Sequence, residues 1–161
     1  MSDSNPTPLA LALGRIPCGL YIVTIQGPGG KPMGFVGSFV MQQGFEPPTV
    51  SVAIGKNRDH LEHLRASGRF TLSLLDKESA GLMGAFFRKL PEGESPYDTM
   101  GIETSPSGGT VLSDALAWMD CELTGEFEVG DHVVCFGKVL EGSMQRDGEP
   151  QVHLRTDGLG Y

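Results

Sequence analysis

The chain has 161 residues, of which 39% are hydrophobic and 20% charged, and its formal net charge is −8. This composition is typical of one globular domain, and its negative charge argues against duplex nucleic acid or an anionic membrane as a partner. Three cysteines without a C-x-x-C pair, no apolar run of the roughly 18 residues that span a bilayer, and no secretory signal favour a cytoplasmic protein with free thiols.

Short strands and tight turns dominate the first half of the chain. Residues 1–8 are expected to be a flexible lead-in, and residues 9–161 a single domain. Apolar runs predict a helix over residues 9–15 and another that begins after Asp59 and ends at Gly68. Paired prolines favour a loop over residues 42–48. Strands are predicted over residues 20–25, 33–41, 49–54 and 69–75, with a turn at residues 27–30.

The second half is predicted to be a helix, a long connection and a β-meander. The helix covers residues 79–87, and the connection over residues 88–110 is long enough to suggest a lid or an interface arm. Strands follow over residues 119–129, 132–140 and 151–155. In the first of them, alternation places Met119, Cys121, Leu123, Phe127 and Val129 inward and Asp120, Glu122, Thr124, Glu126 and Glu128 in water.

The order of elements shows no regular alternation of strands and helices. We therefore expect a mainly β fold, a closed antiparallel split β-barrel with Greek-key character and two or three short α-helices.

Several familiar catalytic and binding motifs are incomplete. Gly30-Lys31 is followed by Pro32, so a phosphate-binding Walker loop fails, and the dinucleotide fingerprint lacks its third glycine. His60 and His63 have helical spacing but no third ligand nearby, so no metal is expected. A G-x-S-x-G nucleophile elbow is not present in the sequence. The common hydrolytic chemistries are thus not supported.

One stretch combines scarce basic residues with a helix start. Lys56 and Arg58 flank Asn57 immediately before the helix that begins near Asp59. A helix N-terminus offers free N–H groups and partial positive charge, which suit a phosphate group. Asp59 as the N-cap would compete for the same amides, so a solvated loop stays open as the alternative.

Several short segments form a recognisable pattern when they are taken in order along the chain. Residues 34–48, Gly-Phe-Val-Gly-Ser-Phe-Val-Met-Gln-Gln-Gly-Phe-Glu-Pro-Pro, lead into the strand over residues 49–54. The segments Ser-Gly-Arg-Phe (67–70), Phe-Phe-Arg (86–88), Ala-Leu-Ala-Trp-Met-Asp-Cys (115–121) and Gly-Asp-His (130–132) follow in order. In order and spacing this chain resembles the flavin reductase-like family of FMN-binding split barrels, from about residue 13 to residue 140.

The resemblance implies FMN in a groove at the interface of a homodimer and NADH or NADPH as the hydride donor. His132 would stand where the nicotinamide stacks. The positions that the resemblance places along the cofactor are Val36, Gly37, Ser38, Phe39, Gln42, Ala53, Gly55, Lys56, Asn57, Arg58, Phe87 and Arg88. Hydride transfer between cofactors needs no side-chain nucleophile, which agrees with the incomplete motifs.

One departure bears on the role within the family. Many flavin reductases have Thr-Ala-Asn-Ser where this chain has Val36-Gly37-Ser38-Phe39. The aromatic residue after the serine resembles a branch that includes flavin domains of electron-transfer proteins. The family resemblance as a whole implies an NAD(P)H:flavin reductase, with a flavin-dependent oxygenase or redox protein as partner. The alternative is an FMN-binding electron-transfer protein reduced by a partner protein. Haem and pyridoxal phosphate are not expected, because no lysine or histidine matches the ligands of the related barrels.

Overall fold

The computed structural model describes residues 5–160 and consists of strands with short helices between them. The helices are α1 (Pro8–Gly14), α2 (His60–Ser67) and α3 (Gly84–Phe87). The strands are β1 (Tyr21–Gln26), β2 (Pro32–Gly37), β3 (Val40–Phe45), β4 (Pro48–Gly55), β5 (Arg69–Leu74), β6 (Ile102–Thr104), β7 (Thr110–Leu112), β8 (Ala117–Val129) and β9 (His132–Met144). Single 3-10 turns lie at Pro28–Gly30, Ala80–Met83 and Pro96–Thr99.

Seven of these strands form one antiparallel sheet in the order β2-β1-β5-β8-β9-β4-β3, and β6 and β7 form a separate ribbon. The edge strands β2 and β3 are consecutive in the chain, with only Ser38 and Phe39 between them. Three Cα steps span at most roughly 11 Å, so the two edges meet at this corner and the sheet curls. The mainly β, antiparallel prediction is confirmed. Within residues 5–160 no ladder joins β2 to β3, so closure of the barrel is not confirmed.

The main core lies inside the curled sheet and is covered by α2. Leu61 and Leu64 of α2 are 5% and 0% exposed and pack against strand residues that include Val23 and Val52. Gly68 ends α2 in the left-handed region at φ 66°, where glycine has no Cβ to clash. Cys121 and Cys135 lie in this core, and burial raises the pKa of their thiols to about 12 and about 11.

Two predictions around the β2–β3 corner are wrong. Residues 33–41 are not one strand, because β2 ends at Gly37 and β3 begins at Val40 on the opposite edge of the sheet. Residues 42–48 are not a loop, because β3 runs to Phe45 and turns tightly into β4 at Pro48. Proline is tolerated there because β3 is an edge strand and Pro48 is the first residue of β4.

The alternation predicted along β8 also fails in part. Asp120 is fully buried, whereas Phe127 and Val129 are 67% and 51% exposed. Irregularities in the β8–β9 pairing, between Asp120 and Cys121 and again before Gly125, shift the faces on which side chains lie. Beyond residue 122, β8 no longer pairs with β5, so its far end reaches past the core.

The remaining differences concern short or irregular segments. The helix predicted over residues 79–87 is a 3-10 turn followed by the four-residue α3. Residues 151–155 form no strand, and only an isolated bridge joins Cys18 to His153. In the long connection Tyr97 is 4% exposed, and its hydroxyl shares a 2.8 Å hydrogen bond with Thr24.

Residues 1–4 of the expected lead-in lie outside the described residues, and Pro8 already belongs to α1. Across residues 5–160 no helix has both the length and the apolarity that crossing a bilayer requires.

Candidate functional site

The corner where the chain passes from β2 to β3 opens a narrow cleft of about 10 Å³ at the surface of the sheet. Its walls come from β2, from β4 and from the link between β2 and β3, and Ala53 of β4 donates its N–H to the Phe39 carbonyl of that link at 3.0 Å. Gly37 is buried, and a Cβ there would lie 2.8 Å from Val23 Cγ2. The cleft is lined by Phe35, Val36, Gly37, Ser38, Phe39, Ala53, Gly55 and Arg58.

A larger recess of about 550 Å³ adjoins this cleft and shares Val36, Ser38 and Arg58 with it. The volume lies in the range of pockets that take small molecules. Phe87 at the end of α3 lines the recess, although 73% of its surface is exposed. Residues 153–157 of the C-terminal segment form the facing wall. We call this the large recess.

On the other side of the cleft lies a recess of about 480 Å³, here called the loop recess. Residues 55–58, which connect β4 to α2, line it together with Asp131 and His132 from the β8–β9 turn. Lys56 N–H donates to the Asp131 carbonyl at 2.9 Å, which ties the two turns together. Arg58 lines the cleft and both recesses, so the three openings adjoin one another around this side chain.

The cations of this site differ in their partners. Lys56 Nζ donates to Glu128 Oε2 at 2.8 Å, and this contact lowers the pKa of Glu128. Arg58 forms no ion pair within residues 5–160, and its guanidinium lies 5.3 Å from the centre of the Phe35 ring. The guanidinium of Arg155 lies 4.7 Å from the centre of the Phe39 ring. The two arginines are therefore held on aromatic faces, whereas Lys56 is held by a carboxylate.

His132 lines the loop recess and contacts Phe39 of the cleft. Its ring and that of Phe39 meet edge to face at 5.7 Å. Its Nδ1 donates to Asp131 Oδ1 at 2.7 Å, and this hydrogen bond lowers the pKa of Asp131. The Asp131 contact fixes which ring nitrogen carries the proton, as an adjacent carboxylate commonly does.

The helix that follows the loop recess does not have the predicted cap. Asp59 has helical backbone angles, and its side chain makes no cap hydrogen bond. The expectation that Asp59 competes for the first amides of α2 is therefore wrong. His60 does not act in the loop recess either: its Nε2 lies 3.1 Å from the Gly34 carbonyl, and burial lowers its pKa.

Most of the positions predicted from sequence come together in this site. The cleft and recesses contain Val36, Gly37, Ser38, Phe39, Ala53, Gly55, Lys56, Asn57, Arg58, Phe87 and His132. In the described part of the chain, Gln42 and Arg88 do not line any of these three openings. Gln42 Nε2 instead donates to the Gly44 carbonyl of its own strand at 3.4 Å. Their part in cofactor binding stays a prediction.

The wall formed by residues 153–157 was missed by the sequence reasoning. The segment has no regular secondary structure, and its position depends on distant contacts. His153 and Cys18 exchange both backbone hydrogen bonds at 2.7 and 3.1 Å, and Gly158 N–H donates to the Ala10 carbonyl at 2.8 Å. A glycine pattern is the one signal present: Gly14 and Gly158 let α1 and the segment touch backbone to backbone.

Comparisons with known proteins agree on one family. The family model described as the flavin reductase like domain matches residues 13–158. Diflavin flavoprotein A 1 of Synechocystis sp. is 33% identical over 155 residues, which cover 95% of this chain and 27% of that protein. A Rhizobium meliloti protein named "Probable flavin reductase" is 27% identical and covers 98% of this chain and 47% of its own length. This chain thus spans about a quarter to a half of these curated relatives.

A solved structure supports the fold independently. Nitrilotriacetate monooxygenase component B from Mycobacterium thermoresistibile superposes with a TM-score of 0.82 at 26% identity. The match covers 91% of this chain and 80% of that one. The fold is therefore shared with a solved relative over most of both chains.

Proposed function

Because the chain belongs to the flavin reductase like domain family, we propose that it is an FMN-binding oxidoreductase that transfers a hydride from NADH or NADPH to flavin N5. The observation that carries the proposal is the group of adjoining openings at the β2–β3 corner. It joins a narrow cleft to the large recess, which is mostly apolar and has guanidinium groups at its edge. A single domain over residues 9–161 is part of this proposal.

The residues present fit a phosphorylated flavin. A flat heterocycle needs walls that approach closely, and Gly37 lets the backbone form one. Phe87 offers an exposed ring at the rim of the large recess. Arg58 provides an unpaired cation for an anionic tail, in the part of the chain that the structure describes. The donors and apolar walls that this ligand needs are thus side by side.

A bound flavin would supply the chemistry, since it accepts a hydride at N5 and gathers negative charge at N1. The chain's part is to orient the reactants and to exclude water. Backbone N–H groups at the β2–β3 corner would donate to the polar edge of the ring. His132 and Phe39, in edge-to-face contact, would form the wall beside the face on which nicotinamide stacks.

The reductase reaction is tested by anaerobic reduction. The purified protein is mixed with FMN, and the visible flavin band is followed after addition of NADH or NADPH. The proposal predicts that at least one of the two bleaches the band faster than in a mixture without protein. A flavin-binding protein that neither nucleotide reduces would contradict the reductase assignment and leave flavin binding intact.

The alternative is an FMN-carrying electron-transfer protein. It is favoured by the similarity to diflavin flavoprotein A 1, of which this chain spans 27%. The net charge of −8 would suit docking to a basic donor protein. Reduction by a ferredoxin-type donor, together with inertness to NADH and NADPH, would support this second function.

We also propose a homodimer with the flavin at its interface. Phe127 pairs with Val134 and Val129 with His132, so the exposed apolar end of β8 lies on the face that carries His132. An exposed apolar patch beside a ligand site is typical of an association surface. Sedimentation equilibrium should give twice the chain mass, and a monomer that still binds FMN tightly would exclude an interface site.

The partner is proposed to be a flavin-dependent oxygenase that takes reduced flavin. The support is the solved relative, which is named as component B of a monooxygenase. A redox partner protein is the corresponding expectation for the electron-transfer alternative. Cytoplasmic location stays a prediction.

A further inference from the structure

We infer that Arg155, together with Arg58, forms a two-arginine site for the phosphoryl group of a nucleotide bound in the large recess. This inference rests on the proposed function and assigns a residue outside the predicted cofactor positions. Two sources carry the required chemistry: the phosphate of a flavin nucleotide and the diphosphate of a nicotinamide nucleotide. Both present oxygens that a guanidinium can bind through two parallel hydrogen bonds.

The Arg155 guanidinium has no acceptor among the described residues. The side chain is half-buried, and its Nε is enclosed without a hydrogen-bond partner in residues 5–160. It forms no ion pair there, and its one aromatic contact is the Phe39 ring. A half-buried guanidinium without an acceptor is costly, so an anionic ligand in the recess that accepts from its terminal N–H groups would relieve that cost.

The large recess concentrates positive charge. Arg58 and Arg155 both line it, in a chain whose net charge is −8. Asp157 is the acidic residue among the lining side chains, and its Oδ1 accepts the Leu159 N–H at 2.8 Å rather than either guanidinium. Two cations in one recess repel each other until an anion lies between them.

Backbone hydrogen bonds hold Arg155 in place from both sides. The backbone N–H of Arg155 donates to the Gly14 carbonyl at 3.0 Å. On one side His153 is paired with Cys18, and on the other Gly158 donates to Ala10. The cation–π contact with Phe39 then restricts the guanidinium. A cation fixed before binding loses little entropy when the ligand arrives, which favours a recognition role over a flexible surface charge.

The inference is tested by comparing flavins that differ only in the phosphate. Dissociation constants for FMN and riboflavin are measured by fluorescence quenching in the full chain and in Arg155→Met, Arg155→Lys and Lys138→Met. Michaelis constants for NADH and NADPH are measured in the same four proteins. Lys138→Met is the matched control, because Lys138 is an exposed cation on β9 outside the large recess. Thermal melting confirms that each variant is folded.

If the flavin phosphate is the ligand, Arg155→Met weakens FMN about tenfold to a hundredfold and leaves riboflavin within about twofold. Arg155→Lys keeps the charge but not the planar guanidinium, so its FMN dissociation constant should lie between those of the unmodified chain and Arg155→Met. If the nicotinamide nucleotide is the ligand, both flavins bind unchanged and the Michaelis constant for NADH rises by the same factor. Lys138→Met changes neither value.

Three results would overturn the inference. Equal weakening of FMN and riboflavin by Arg155→Met would show that Arg155 only supports the Phe39 wall. Unchanged values for both flavins and both nicotinamide nucleotides would show that no phosphoryl group binds there. If the unmodified chain binds neither flavin, the proposed function itself fails and the inference falls with it.

Discussion

Replacement of Lys56 by methionine should have little effect on FMN binding, whereas the same replacement of Arg58 should weaken it strongly. The sequence alone makes these two cations equivalent, since both flank Asn57 before α2. In the structure Lys56 is bound to Glu128 at 2.8 Å, and both side chains are well exposed. To reach an anion in the site, Lys56 must first leave this carboxylate. Arg58 has no such partner in the described residues.

The magnitude follows from the kind of contact that is lost. A hydrogen bond to a charged group contributes about 1.5–3 kcal/mol, so Arg58→Met should raise the FMN dissociation constant about 10-fold to 150-fold. Lys56→Met should change it less than about threefold, because an exposed paired cation contributes little and is screened by salt. Fluorescence quenching titrations at two salt concentrations measure both constants.

A further variant, Glu128→Gln, tests whether the ion pair with Glu128 keeps Lys56 away from the ligand. Glu128→Gln releases Lys56 from its partner, so in that background Lys56→Met should cost more FMN affinity than it does alone. If Lys56→Met in the unmodified chain weakens FMN as much as Arg58→Met, the inference that the Glu128 contact withholds Lys56 from the ligand is refuted.

Three further predictions concern the framework that holds the site, and equilibrium unfolding in urea measures each of them. Asp120 is buried and accepts from Arg69 at 2.9 Å and Ser105 at 2.7 Å; Asp120→Asn should cost about 2 kcal/mol at neutral pH. Burial opposes the charge of Asp120, but its hydrogen bonds from Ser107, Ser105 and Arg69 outweigh burial and lower its pKa. Asp120 therefore stabilises the fold fully above about pH 4, and this stabilisation is lost as the pH falls through the folded-state pKa of Asp120. The difference in unfolding free energy between Asp120→Asn and the unmodified protein should therefore shrink in acid. A difference that does not depend on pH would contradict this. A Cβ on Gly137 would lie 2.6 Å from Phe70 Cε1 in the core, so Gly137→Ala should cost about 1–3 kcal/mol. In the control variant Gly125→Ala the added methyl group meets no atom within 4 Å, so stability should hardly change. Equal losses of stability in the two variants would refute the packing argument. Tyr97→Phe removes the 2.8 Å hydrogen bond to Thr24 and should cost about 1 kcal/mol, whereas no loss would mean that the long connection is held by packing alone.

Local patterns in the sequence were sufficient to predict most of the sheet. The β-branched run in β1, the alternation in β4 and the glycine at the end of α2 each predict an element that the structure contains. They do so because side-chain period and turn chemistry act over a few residues. The same patterns brought most of the candidate site together once the family resemblance was added.

The errors share a physical cause, which is that distant contacts decided the outcome. Alternation placed Asp120 in water, but Arg69 from β5 and serines from the long connection supply partners that allow it to be buried. Gly37 and Val40 look like parts of one strand, because nothing local shows that β2 and β3 belong to opposite edges. Arg155 lies in an irregular segment whose position depends on α1 and Cys18. No periodicity within that segment could reveal its place in the site.

The most direct test of the account is a crystal structure of the full chain with FMN bound. We predict that the flavin ring lies against the β2–β3 corner at residues 37–39, with its phosphate in the large recess beside Arg58. A ring bound at any other surface, with the β2–β3 corner empty, would contradict the account.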